Sequence, residues 1–287
     1  MADLNPIDEH LGELPTVLYK YRTFDRCGFG VAMGLGGVAY FASASELNDP
    51  FDTRFHPSSV FTRLKGDALR DYLAKKALQH EPRATEARVA ELVSLGVKNQ
   101  QRILAGDLSS FEEVMEIQAK RRGILSLTAK PNHPAMWAYY SDNHEGLCIG
   151  LRTEAIGLHQ RSLLEQDELM MLSKVKYQER MPTVSVDIGP NGMTEEELAE
   201  LDRTFYTKSR HWEHEEEYRV LYDGYISKPY VFGASAVEEV ILGLNVSTED
   251  SASFIAKLDR AGSQTVVKQA RRSLSEFKLE FDVVRSG

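Results

Sequence analysis

Strand-like segments stand on both sides of a long helical block, and that arrangement limits what the chain can become. Pro15-Thr-Val-Leu-Tyr-Lys-Tyr-Arg22 alternates apolar and polar residues, and Val38-Ala-Tyr-Phe41 gives a second apolar run after a glycine-rich turn. Strands resume only at Gly123-Ile-Leu-Ser-Leu-Thr128. In between, from Leu64 to Arg122, Leu64, Ala68, Tyr72 and Ala77 recur near helical spacing with charged residues on the opposite face. A sheet made from such pieces must pair segments that are distant in sequence. The expected fold is α+β, a mixed or antiparallel sheet core in one domain covering 1–287, with a helical insertion at about 64–122.

Local signals fill in the order. Within the block a second helix is expected from Thr85 to Leu104 and a third from Ser109 or Ser110, each with a Glu three residues on as a capping box wants. After Thr128 come a short helix from Pro134 to Asn143 and strands at Gly146–Leu151 and Lys174–Tyr177. Thr194 with Glu197 opens a helix that runs toward Trp212. Glu217–Tyr222 and Val237–Leu242 read as core strands, Thr248–Gly262 as a helix, and two closing strands follow.

The 34 Lys and Arg against 43 Asp and Glu leave a net charge of −9, so long-range attraction to nucleic acid or anionic lipid is not favoured. Cys27 and Cys148 are far apart and outside any ligand-like spacing, which fits a reducing compartment rather than a disulfide framework or a metal site. No window approaches the roughly 18 apolar residues of a membrane span, and Met1-Ala-Asp-Leu-Asn-Pro6 lacks the basic start of an export signal. The expectation is a cytoplasmic protein with no membrane partner.

Leu18-Tyr-Lys-Tyr-Arg22, Asn48-Asp-Pro-Phe-Asp52, Leu125-Ser-Leu-Thr128, Met136-Trp-Ala-Tyr-Tyr140 with Gly146-Leu-Cys-Ile-Gly150, and Lys208-Ser-Arg-His-Trp212 with Glu215-Glu-Glu-Tyr-Arg219 follow one another in order. In this order the chain resembles the bacterial family catalogued as domain of unknown function 2971, with Asp52 standing where that family usually has Glu. A second resemblance, to ADP-ribosyltransferases of the arginine–serine–glutamate type, rests on Arg22, Ser126, Thr128, Glu215 and Glu217. It implies an ADP-ribosyltransferase-like fold and NAD as the substrate.

Under that resemblance Glu217 would bind the ribose 2′-hydroxyl and stabilise the cation left when nicotinamide departs, and Glu215 would orient or deprotonate an acceptor. Arg22 would hold phosphate in a two-point contact, while Ser126 and Thr128 would position the ribose. Trp137 and Tyr140, at i and i+3 on a helix, would offer a stacking surface. Asn48 would sit in a lid over the ligand, Lys208 would touch phosphate, and Arg219 would join the ligand set. Each has a plain structural reading as well. Arg219 would be the salt-bridge partner of the glutamates, and Ser126 and Thr128 ordinary strand filling. Trp137 and Tyr140 would be core, Asn48–Asp52 an Asx turn, and Lys208 packing for Trp212 on a helix.

Three functions compete. The first is an NAD-consuming transferase that modifies a macromolecule or nucleotide, protein or nucleic acid, as a bacterial toxin or anti-phage effector. The second is a non-catalytic module that senses a nucleotide or a phage component. The third is a metal-dependent nuclease using Asp49, Asp52 and a glutamate. His144, His211 and His214 are scattered and suggest no hydrolase triad.

Overall fold

The computed structural model describes residues 14–25, 28–185 and 195–287. They divide into two compact units: the described parts of Met1–Asn48, Arg121–Tyr177 and Arg210–Gly287, and those of Asp49–Lys120 and Gln178–Ser209. Each is treated by itself below. Cys27 and Thr194 lie outside the described residues.

The first unit is α+β. Its elements are β1 (Val17–Arg22), α1 (Phe29–Gly36), β2 (Val38–Phe41), β3 (Arg122–Thr128), α2 (Pro134–Tyr140), β4 (Leu147–Arg152), α3 (Thr153–Leu164) and β5 (Met170–Lys174). Then follow β6 (Glu217–Asp223), β7 (Lys228–Val231), β8 (Val237–Leu242), α4 (Thr248–Arg260), β9 (Val266–Arg272) and β10 (Leu279–Arg285). Eight strands form one sheet in the order β10-β9-β8-β4-β1-β3-β6-β5, and β2 pairs with β7 in a separate ribbon. Only β8 and β9 run parallel, joined by the crossover helix α4; the other pairs of the sheet are antiparallel. The sheet is therefore mixed and mostly antiparallel, assembled from non-adjacent segments as the sequence demands.

Sequence explains why β4 sits in the middle. Leu147-Cys-Ile-Gly-Leu151 is apolar at successive positions, the mark of a strand covered on both faces, and all five residues are buried. On one face Leu18, Leu125, Ile149, Val220 and Val240 meet Met33 of α1, Ile156 of α3 and Phe254 of α4. On the other face Tyr21, Cys148 and Ile241 meet Met136 and Trp137 of α2. The glycine-rich segment expected as a turn is α1, a helix apolar all round, which ends at Gly37 (φ 65°) with Gly37 N–H donating to Met33 O at 2.8 Å. Gly34 lets α1 pack close: a Cβ there would lie 2.9 Å from Phe254 Cζ and 3.2 Å from Val240 Cγ2. Ser247 caps α4, its hydroxyl accepting from Asp250 N at 3.0 Å.

The second unit carries helices at Val60–Arg63, Gly66–His80, Glu86–Lys98, Gln100–Ala119 and Glu195–Thr204, with a parallel strand pair, His56–Ser58 and Thr183–Ser185. It takes in more than the insertion read from the sequence. Thr85 starts a helix as expected, its hydroxyl accepting from Arg88 N at 3.3 Å. That helix ends at Asn99, and the next runs from Gln100 straight through Ser109 and Ser110, so neither serine begins a helix. The helix expected to reach Trp212 stops at Thr204; Lys208 lies on a short strand, Thr207–Ser209, and Trp212 in a 3-10 turn, Arg210–Glu215. No helix of the described residues is long and apolar enough to cross a membrane.

Candidate functional site

Register decides which side chains can meet. Across the first unit's sheet Glu239 of β8 pairs with Gly150 of β4, Gly150 with Tyr19 of β1, Tyr19 with Thr128 of β3, and Thr128 with Glu217 of β6. Directly opposed residues share a face, so Tyr19, Thr128 and Glu217 point the same way, as do Arg219 and its partner Ser126. Arg22 is odd to even with Tyr19: it pairs with Leu147, whose side chain belongs to the core of the other face. The sheet itself separates Arg22 from Thr128, Ser126, Glu217 and Arg219.

Arg22 has local company instead. Burial pulls its guanidinium below the ordinary arginine value, and the nearby Asp25 carboxylate opposes that pull. The same carboxylate lies over Gly28, at the N-terminus of α1. A Cβ on Gly28 would stand 1.8 Å from Asp25 Oδ2, so the close approach requires glycine. Asp25 thus occupies the position that the helix dipole makes favourable for an anion.

On the Thr128 face the acidic run resolves into two carboxylates with different partners. Glu217 opens β6, and both its oxygens accept from one guanidinium, Arg219 Nε at 2.7 Å and Nη2 at 3.1 Å. Glu217 is 2% exposed and Arg219 0%. The Glu217 N–H donates to Tyr177 Oη at 2.7 Å, and burial raises the Tyr177 hydroxyl above its ordinary value. Glu215 is not a strand residue. It ends the 3-10 turn, and Glu216 between the two takes φ 42°, a conformation uncommon outside glycine. Thr128 Oγ1 donates to the Glu215 carbonyl at 2.6 Å and accepts from Lys130 N at 3.0 Å, tying β3 to this kink.

The Glu215 carboxylate accepts from Tyr140 Oη at 2.6 Å, and Tyr140 Oη accepts from Asn48 Nδ2 at 2.9 Å. Asn48 is exposed, Tyr140 half-buried and Glu215 buried, so the chain of three leads from solvent inward. Burial and the Glu215 carboxylate raise the Tyr140 hydroxyl well above its ordinary value. Beside the cluster His133 and His214 face each other with ring centroids 5.4 Å apart, and His133 Nδ1 and His214 Nε2 are buried without a hydrogen-bond partner.

Of the residues singled out in the sequence, Asn48, Thr128, Tyr140, Glu215, Glu217 and Arg219 come together here, with Ser126 half-buried opposite Arg219. Trp137 does not. It is fully buried in the second core, its Nε1 donates to Pro131 O at 2.7 Å, and Tyr21 packs edge-on 5.2 Å away, so its face is closed to a ligand. Tyr140 contributes its hydroxyl to hydrogen bonds with Asn48 and Glu215. Tyr177 was missed, because a lone Tyr before a loop carries no signal of its own.

Lys208 belongs to the second unit, where its ammonium stands 3.8 Å from Asp52 Oδ2 with both side chains buried. Asp49 Oδ1 accepts from Phe51 N at 2.9 Å, the Asx turn that Asn48-Asp-Pro-Phe suggests. Among the described residues no three His, Cys, Asp or Glu side chains are grouped as a metal ion would need.

The model of the family described as protein of unknown function, DUF2971, matches residues 136–220. The match covers α2 through most of β6, and so includes Tyr140, Glu215, Glu217 and Arg219. No curated protein and no solved structure matches the chain.

Proposed function

We infer that the chain is a nucleotide-binding module whose site is the strand-end cluster of Asn48, Tyr140, Thr128 and Glu215, with NAD as the ligand its residues suit. The observation that supports binding over turnover is the Glu217–Arg219 pair. A transferase needs Glu217 open to the ribose, yet both its oxygens are engaged by a guanidinium out of reach of water. Freeing it would take from a buried arginine its two-point carboxylate partner. Arg22, the expected phosphate ligand, lies on the other face of the sheet. Glu215 stands at the inner end of the hydrogen-bond chain that begins at exposed Asn48, and a carboxylate is the usual partner of ribose hydroxyls.

Transfer of ADP-ribose from NAD to a macromolecule or nucleotide is the second reading, in an ADP-ribosyltransferase-like fold. It is favoured by the kink at Glu216, which sets two carboxylates in different surroundings, one neutralised by Arg219 and one hydrogen-bonded by Tyr140. In that reaction the bond from ribose C1′ to nicotinamide breaks, its electron pair leaves with nicotinamide, an acceptor oxygen bonds to C1′, and Glu215 takes the acceptor's proton.

Calorimetric titration of the purified chain with NAD, ADP-ribose and ATP, run beside an assay for released nicotinamide, separates the two. Binding of NAD without release is the expected result. Release that disappears in Glu215→Gln would move the conclusion to the second reading, and no binding of any of the three nucleotides would overturn both.

A further inference from the structure

The hydrogen bonds at Tyr140 fix the orientation of Asn48. A tyrosine hydroxyl has one proton, and here it goes to Glu215 Oε1 at 2.6 Å. The hydroxyl oxygen is therefore the acceptor toward Asn48, and the amide atom 2.9 Å away is Nδ2, the donor. The opposite flip would set two acceptors against each other. Tyr140 keeps its proton, because burial and the Glu215 carboxylate both disfavour the phenolate. Asn48 Oδ1 is thus turned away from Tyr140 on an exposed residue, ready to accept from a ligand. Next to Tyr140 on α2, Tyr139 is 69% exposed, and the two rings meet edge to face with centroids 6.5 Å apart.

We propose that this corner recognises an aromatic carboxamide, the amide N–H donating to Asn48 Oδ1 and the ring lying along Tyr139. The proposal rests on the nucleotide-binding reading above and identifies the group as the nicotinamide end of NAD. Selectivity follows from polarity. The acid analogue, nicotinic acid adenine dinucleotide, differs only in carrying a carboxylate in place of the carboxamide. At neutral pH it has no donor for Asn48 Oδ1 and sets a carboxylate against that acceptor oxygen. A site built to receive an N–H discriminates strongly against a ligand that lacks it.

The test is calorimetric titration of the full chain with NAD, nicotinic acid adenine dinucleotide and ADP-ribose, using wild type and Asn48→Ala. Wild type should prefer NAD over the acid analogue by about 10-fold or more, the loss expected for one unmet hydrogen bond with two acceptors set against each other. Asn48→Ala should bring the two dinucleotides within a few fold of each other, with its thermal midpoint unchanged because Asn48 is exposed. Equal affinities in wild type, or a preference kept by Asn48→Ala, would overturn the carboxamide assignment while leaving the nucleotide reading intact. Failure of all three ligands to bind would remove both.

Discussion

The Glu217 carboxylate and the Arg219 guanidinium, two residues apart on one strand face, form a two-point hydrogen-bonded ion pair with both side chains out of solvent. Such a pair adds little over an apolar replacement, but removing one partner strands a charge in the interior. Arg219→Met should destabilise the chain by about 3–5 kcal/mol. The double variant Glu217→Gln, Arg219→Met should recover much of that loss, because both charges of the pair are gone. Urea unfolding of the wild type, both single variants and the double completes the cycle. Additive losses would mean that the pair is not coupled as described.

Arg219 is readable from the sequence because strand alternation puts i and i+2 on one face, and the same rule turns Tyr21, which is buried in the second core, away from Arg22. It could not place Arg22, since the face a strand turns to the site depends on its register with β3 and β4, which lies outside the strand itself. Alternation does not extend to Glu215, because the positive φ of Glu216 precedes the first residue of the strand, Glu217. The helix α3 and strand β5 were not anticipated. The apolar face of α3, with Ile156 and Leu163 buried, is interrupted by buried Gly157 and Gln160 and diluted by exposed leucines. The glycine-rich segment read as a turn is helical because its small residues let α1 lie close on the sheet, a tertiary gain that propensity does not contain.

Gly123 is the glycine on which β3 depends. A Cβ there would lie 1.7 Å from the Tyr225 carbonyl oxygen and 2.9 Å from Phe41 Cβ, and backbone cannot swing aside as a side-chain tip can. Gly123→Ala should cost about 3 kcal/mol or more by overpacking. Gly106, in the helix Gln100–Ala119, has nothing within 4 Å of the same added carbon. There the identical substitution should stabilise by about 0.5–1 kcal/mol through helix propensity. Denaturant midpoints of the two variants should therefore move in opposite directions; a shift of the same sign would contradict the packing at Gly123.

Two histidines make stability depend on pH. Burial and the facing His214 hold His133 below the ordinary histidine value, with Glu216 partly opposing, and burial with Arg272 does the same to His144. At pH 7.5 and above, about one unit over the ordinary value near 6.5, folded and unfolded forms are both largely neutral at these sites and neither gains. As pH falls through that value the unfolded chain takes up protons first, so stability is lost until the folded rings protonate too. Urea midpoints should drop between about pH 7.5 and 5.5, the window around the free histidine value. His133→Gln with His144→Gln should flatten that slope relative to wild type, and an unchanged slope would show that these rings do not carry the dependence.

Cys148 offers a way to read these losses in one measurement. It lies on β4 against Tyr21 and Trp137, fully buried, and burial raises its thiol well above the ordinary value, with Glu239 adding to the shift. Both effects suppress the thiolate that reacts with disulfide reagents. In a Cys27→Ser background, Cys148 should stay unlabelled in the folded chain and react only from molecules that have opened through β4. When opening and closing are fast relative to labelling, the rate follows the open population. Arg219→Met should then label faster by about tenfold for each 1.4 kcal/mol lost in urea unfolding. Rapid labelling of Cys148 in the folded wild-type background would place this residue outside the core, and a rate in Arg219→Met that ignored its lost stability would mean that β4 opens separately from β6.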